Sequence, residues 1–421
     1  MLARIRDRNI FLIDAAIFQL GLAYGISISL VGLFLDARGM SKHDIGTLAV
    51  WFALGIVALS LPMGGLIRRF SARATLIASL AGYAATVTAF PFLPGFAGIA
   101  AVRFLDGAFS VGVWVSCETI LLSRADDTNK AFVTSLYAVS LALGYVLGPF
   151  AAKLVVGAVT MQYAFVLSGV IASLAALMVL LRLDPDVPHE DELTPGALSE
   201  AGAALSEAGA ALSDAGAARA ETTAWSLLWR IKTSCFGTFA YGYFQASVVL
   251  FLPLYLMESK QITADQTIII LAFFAAGMLL FSNNAGRIGD RRGHLLVMRV
   301  LGAIGTLMIL GFVFLDAYGP MCVAVFIAGA TLASISPVSL ALQGVVTARR
   351  DLSRGNAIYN AFYASGMLLG PYISARLFDA RGGVAMLYHL AALWVGFVVF
   401  TIVFYRDDPA VGRYLPAVGP R

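Results

Sequence analysis

Four ionisable residues lie inside otherwise apolar stretches of this chain, and they are where its chemistry should be sought. Asp14 sits early in the first apolar segment, while Arg103, Asp106 and Glu118 share a later one. A charge at membrane depth is costly unless it faces a partner or a wet cavity. Such groups take up and release protons, neutralise one another, or hold an oppositely charged solute. At helical spacing Arg103, Gly107, Ser110, Trp114 and Glu118 share one face, with Asp106 at its border. Arg103 and Asp106 stand three residues apart, so they form either an ion pair within one helix or a coupling site. Glu118 lies nearer the basic end of its segment, where it pairs with Arg73 or Arg124 as part of a gate, or carries a proton. Asp14 is either a half-solvated cap or a coupling acid.

A second set is aromatic and amide-bearing. The first half supplies Gln19, Tyr24, Trp114, Tyr137 and Tyr145. The second supplies Tyr241, Tyr243, Gln245, Tyr359, Asn360 and Tyr363. Singly, each is explained by packing between helices. Together they suit a cavity with few fixed charges, open to amphipathic or weakly polar small molecules. A dianion such as a phosphate ester would want facing basic residues, and only Arg103 is placed for that. Cys117, Cys235 and Cys322 stand singly in apolar segments, and no metal-ligand spacing occurs among Cys or His. No phosphate-binding Gly-x-x-x-x-Gly-Lys-(Ser/Thr) loop and no nucleophile–base set is present. The expectation is a protein that is not an enzyme and uses no cofactor or metal.

Long apolar elements must position these residues. Hydrophobic residues make up 59% of the 421 and charged residues only 13%, against about 25% charged in ordinary globular domains. The sequence predicts an all-α polytopic membrane protein with twelve transmembrane helices. The spans are 10–35, 44–67, 74–94, 97–122, 131–157 and 160–182, then 230–257, 264–285, 294–316, 319–346, 355–378 and 383–405. The two sets of six superpose without a gap at a shift of 222 residues. Gly64 falls on Gly286, Arg69 on Arg291, Gly107 on Gly329, Tyr137 on Tyr359 and Gly148-Pro149 on Gly370-Pro371. Phe34-Leu35-Asp36 falls on Leu256-Met257-Glu258. A repeat of this length means two pseudo-symmetric six-helix bundles, residues 1–183 and 225–421, with a solute site expected between them.

Basic residues set the orientation. With both termini cytoplasmic, 22 Lys/Arg lie on the cytoplasmic side and 5 outside, which is the bias expected of an inner-membrane protein. The net charge of +4 therefore reports topology and implies no nucleic acid. Arg4, Arg6 and Arg8 precede the first span without a cleavage site, so that span is expected to stay as an uncleaved helix. Residues 184–224 are the one long polar stretch. They carry an Ala-Leu-Ser-(Glu/Asp)-Ala-Gly-Ala unit beginning at Ala197, Ala204 and Ala211. One leucine per unit makes no strong buried seam, so the segment reads as a flexible cytoplasmic linker, the other reading being a regulatory helix.

Two loops carry a resemblance. After the eighth span comes Gly286-Arg-Ile-Gly-Asp290-Arg291-Arg292-Gly293. After the second comes Gly64-Gly-Leu-Ile-Arg68-Arg69-Phe-Ser71-Ala-Arg73. With the two-by-six arrangement these resemble the Gly-x-Leu-x-Asp-Arg-x-Gly-Arg-Arg loop of the major facilitator superfamily. That resemblance implies alternating access between the halves, with Asp290 clamping the cytoplasmic side near the start of span five, around Lys130. A plain turn is the other reading of the same residues. The N-terminal copy departs from the pattern, since Arg68 replaces the Asp and Ser71 the Gly. Asp351 is the candidate to pair with Arg68 in its place. Gly144-x-x-x-Gly148-Pro149 resembles the family's antiporter motif but lacks its trailing Gly-Gly. It repeats as Gly366-x-x-x-Gly370-Pro371, so a structural kink serves as well. Arg103-x-x-x-Gly107 resembles a motif that the family links to proton coupling. The expectation is a monomeric proton-coupled exporter of a small organic solute. An uptake permease or uniporter, and a transport-inactive sensor on the same fold, stand as alternatives.

Overall fold

The computed structural model describes residues 7–124, 130–185, 223–348 and 351–408. The Ala197–Ala217 repeat lies outside them. The first bundle contains α1 (Arg8–Ala37), α2 (Lys42–Phe70), α3 (Ala72–Ala89), α4 (Gly95–Arg124), α5 (Lys130–Ala158) and α6 (Met161–Arg182). The second contains α7 (Ala224–Lys260), α8 (Ala264–Arg292), α9 (His294–Phe312), α10 (Tyr318–Val346), α11 (Leu352–Arg381) and α12 (Gly383–Val403). These are the twelve expected spans in the expected order. Among the described residues, eleven helices are long and apolar enough to cross a membrane. The exception is α11, where Asn356, Asn360, Ser365 and Ser374 thin the apolar character. It is held by protein, packing on α7 in its own half and α2 of the other.

Side chains punctuate the helices where the sequence supplies oxygens. Asp7 caps α1 by accepting from the Asn9 amide at 2.8 Å, and Ser41 caps α2 through the Asp44 amide at 3.1 Å. The junctions α2–α3 and α8–α9 need a left-handed residue. The second has Gly293 at φ +97°, while the first has Ser71 at φ +75°. Ser71 is thus strained, and its hydroxyl partly compensates by accepting from the Ala74 amide at 3.2 Å. Helix α7 begins six residues before the apolar run because Thr223 caps it. Its first turns carry the exposed Trp225 and Trp229.

Lipid gives helices no hydrophobic reason to associate, so close backbone packing must hold the bundles. A Cβ on Gly144 or Gly148 of α5 would overlap the α1 backbone at Gly21 and Gly25, and one on Gly366 or Gly370 would strike α7 at Phe239 and Tyr243. The same repeat pairs Gly107 of α4 with Phe52 of α2, and Gly329 of α10 with Phe274 of α8. The recurring glycine pairs Gly107/Gly329, Gly144/Gly366 and Gly148/Gly370 therefore serve helix contact, whereas Gly286 has open space around it. Pro149 and Pro371 sit inside α5 and α11, which both run on through them. The halves meet where α2 packs on α11 and α5 on α8.

Candidate functional site

A cavity of about 370 Å³ lies between the halves. Its wall takes Gly25, Ile28 and Ser29 from α1, Trp114 and Glu118 from α4, and Tyr137, Leu141, Tyr145 and Pro149 from α5. The second half adds Tyr241, Gln245 and Val249 from α7, Leu271, Phe274, Ala275 and Met278 from α8, and Tyr363 from α11. Tyr363 Oη donates to Gln245 Oε1 at 3.0 Å, and its ring stacks on Tyr241 with centroids 6.1 Å apart. Six of the expected residues thus meet here: Trp114, Tyr137, Tyr145, Tyr241, Gln245 and Tyr363.

The other five lie elsewhere, each for a visible reason. Gln19 Nε2 points to α6 and the Met178 sulfur at 3.6 Å. Tyr24 is buried behind the wall, stacked on Tyr83 at 4.8 Å and Trp114 at 6.0 Å. Tyr243 Oη pairs with His389 Nε2 of α12 at 2.8 Å. Tyr359 ties α11 to α10, donating to the Ser336 carbonyl at 2.9 Å with the Ser339 hydroxyl at 2.8 Å. Asn360 is exposed away from the cavity. Helix α8 also lines the cavity, and of its four residues there Leu271, Ala275 and Met278 carry no polar or aromatic signature to single them out.

Within the membrane, Arg103 Nη1 meets Asp106 Oδ2 at 2.6 Å, both side chains being largely buried. The guanidinium also lies over the Phe52 ring, 4.5 Å from its centroid. The ion-pair reading of the two is the arrangement found. Asp106 Oδ1 and Arg103 Nε are buried without a hydrogen-bond partner, as are both oxygens of Asp14. Glu118 does not pair with Arg124, which binds Asp7 at 3.2 Å and the carbonyls of Asp184 and Pro185. Arg73 donates to the Leu180 carbonyl at 2.7 Å. Glu118 instead stands on the cavity wall. Asp14 is buried in α1 and is not among the residues that line the cavity.

The loop residues behave differently from expectation. Asp290, largely exposed, pairs with His294 at 3.1 Å at the start of α9. The expected partner around Lys130 lies outside the described side chains. Gly286 has open space around it and Gly293 makes the tight turn. Arg69 lies over the Phe70 ring at 5.2 Å. Asp351 is buried at the start of α11 and has partners. The proposed Asp351–Arg68 pair and the surroundings of Gly64 lie outside the described side chains. Arg291 is likewise partnered.

The polar ties that cross between the halves, among the described residues, cluster at the end opposite the termini. Lys42 Nζ bridges Asp36 of its own half and Glu258 of the other, at 2.5 Å from Glu258 Oε1. The His43 amide donates to Asp379 Oδ2 at 2.9 Å. At the terminal end the ties described stay within a half, as in Arg8 to the Arg182 carbonyl at 3.0 Å and Lys232 to Asp407 at 2.6 Å. The repeat aligns Asp36 with Glu258 but gives no sign of the lysine between them.

Two bundles of six membrane helices, alike under one repeat and enclosing a cavity at their interface, define a membrane transporter. A sequence model of the Major Facilitator Superfamily matches residues 13–318 and again 234–419. The chain belongs to that superfamily. It is 24% identical over 374 residues to proteins described as uncharacterized MFS-type transporter YcaD, from Shigella flexneri serotype 5b (strain 8401) and Escherichia coli O139:H28 (strain E24377A / ETEC), covering 88% of this chain and 89% of theirs. Its fold is similar to that of a mutant of the nucleoside transporter NupG, with a TM-score of 0.74 at 12% identity over 95% of this chain and 100% of that one. It is also similar to a bacterial homolog of the human lysosomal transporter Spinster in an inward-facing and occupied conformation, with a TM-score of 0.68 at 13% identity over 94% and 95% of the two chains.

Proposed function

We propose that this chain is a proton-coupled exporter of a small organic solute, working as a monomer in the inner membrane with both termini cytoplasmic. The observation that carries the reading is the asymmetry of the central cavity. It is tied across the halves at the end away from the termini, and it has one carboxylate on its wall, with a second, Asp14, buried in α1 without a hydrogen-bond partner. With the termini inside the cell, this is a carrier presented to cytoplasmic solute. Asp14 is the candidate proton site, because a buried carboxylate without a hydrogen-bond partner has a proton as its simplest counter-charge. Rocking of the bundles about the cavity would then move solute one way and protons the other.

In proteoliposomes loaded with a solute found by ligand-stabilisation screening, an imposed pH gradient should drive accumulation. Asp14→Asn should abolish that drive while solute exchange persists. Accumulation undiminished in Asp14→Asn would remove the coupling assignment. Exchange that no gradient ever biases would leave a uniporter.

A further inference from the structure

We infer that the central cavity selects organic cations, with Glu118 as the counter-charge and the surrounding rings as the cation-binding faces. This rests on the reading of that cavity as the solute site. Apart from tyrosine hydroxyls, Glu118 is the one ionisable side chain among the described residues that line the cavity. None of the ion pairs among the described residues involves it. The basic residues near its helix are committed elsewhere. Arg124 holds Asp7, Arg73 holds the Leu180 carbonyl, and Arg103 is neutralised by Asp106.

An uncompensated carboxylate in a cavity of low polarity attracts a cation and repels an anion more strongly than it would in water. The remaining wall reinforces that choice. Trp114, Tyr137 and Tyr145 come from the first half, and Tyr241, Phe274 and Tyr363 from the second. The negative faces of such rings attract ammonium and related cations, most of all where water is excluded. The apolar balance comes from Leu141, Val249, Leu271 and Met278, which suits a hydrocarbon body beside the charged head. A cavity of about 370 Å³ falls in the range that takes a ligand of one or two rings.

Three probes with one ring system isolate the charge: 2-naphthylmethyl-trimethylammonium, 2-naphthylmethanol and 2-naphthalenesulfonate. Binding to the purified full-length chain is read by equilibrium dialysis. The quaternary cation should bind at least roughly ten-fold tighter than the neutral alcohol, and the sulfonate weakest. Glu118→Gln should erase the cation's advantage over the alcohol, and an unshifted melting temperature shows that the variant is folded. Tyr241→Leu should weaken the cation while Tyr241→Phe keeps it. Equal affinities, a preference for the sulfonate, a cation preference that survives Glu118→Gln, or no binding of any probe overturns the proposal. Cation-selective binding without transport in proteoliposomes would instead sink the exporter reading and leave this one standing.

Discussion

Replacing Lys42 with methionine should move the carrier toward the state open away from its termini. Lys42 bonds Asp36, at the end of α1, and Glu258, at the end of α7. The first pair lies within one half and survives rigid rocking. The second crosses between halves and must break when that end opens. Lys42 is 12% exposed but Glu258 is 45% exposed, so the crossing pair belongs with exposed pairs worth about 1 kcal/mol at most. Its loss leaves Asp36 and Glu258 facing one another as like charges, adding less than about 1 kcal/mol through solvent. A total near 1.4 kcal/mol changes the ratio of the two states about ten-fold. Spin labels at Gly39→Cys and Ser259→Cys, exposed positions on opposite halves, read the opening as a distance distribution. The native cysteines Cys117, Cys235 and Cys322 are buried and leave such labelling selective. Lys260→Met is the control, since its 2.8 Å pair with Asp316 stays inside the second half. An unchanged distribution in Lys42→Met, or an equal change in the control, refutes the latch.

Three further outcomes follow from the packing and charge of the first half. Gly144→Ala should cost about 1–3 kcal/mol, because the added methyl meets the α1 backbone. Gly157→Ala, with open space around it, should raise thermal stability by a few tenths of a kcal/mol to about 1. Burial alone would raise the Asp7 carboxyl, but the Asn9 amide and Arg124 outweigh it and hold its pKa below the usual carboxylate value. Asp7 therefore stabilises the fold above that usual value, near 4, and this contribution is lost as pH falls through the depressed folded pKa. Melting temperatures of the natural chain and Asp7→Asn should differ at neutral pH and converge in acid. A gap that widens in acid would reject the assignment.

Helices and the two bundles were legible because hydropathy and one repeat specify them, and the recurring pairs Gly107/Gly329, Gly144/Gly366 and Gly148/Gly370 stand where backbones touch. The cavity was only half legible. Aromatic type selects residues without saying which way a ring points, so Tyr137 lines the wall while its twin Tyr359 turns to Ser336 and Ser339. Helix α8 escapes notice because Leu271, Ala275 and Met278 look like ordinary lipid-facing residues until the halves are brought together. Asp290 shows a further limit. A motif gives residue type and helix position, and says nothing of the local pair that Asp290 makes with His294 four residues away.

The repeat also explains why the polar ties between the halves, among the described residues, are found at one end. Groups at matching positions in two halves are related by the pseudo-twofold, so those nearest its axis must meet their own counterparts. Asp36 and Glu258 are such a pair, 222 residues apart, and two carboxylates brought together repel. A symmetric chain would need two cations or none. Here Lys42 stands opposite Ala264, so a single cation holds both acids and belongs covalently to one half. That arrangement is attractive only while the halves touch at this end, and one proximal acid stays with the lysine when they part. The cavity repeats the device with the sign unpaired. Glu118 stands opposite Leu340, and Arg103, opposite Val325, is already bound to Asp106. Both departures from symmetry place the unshared charge in the first half. The second half then supplies the surface against which that charge is exposed or covered, as a carrier needs if solute and conformation are to be linked.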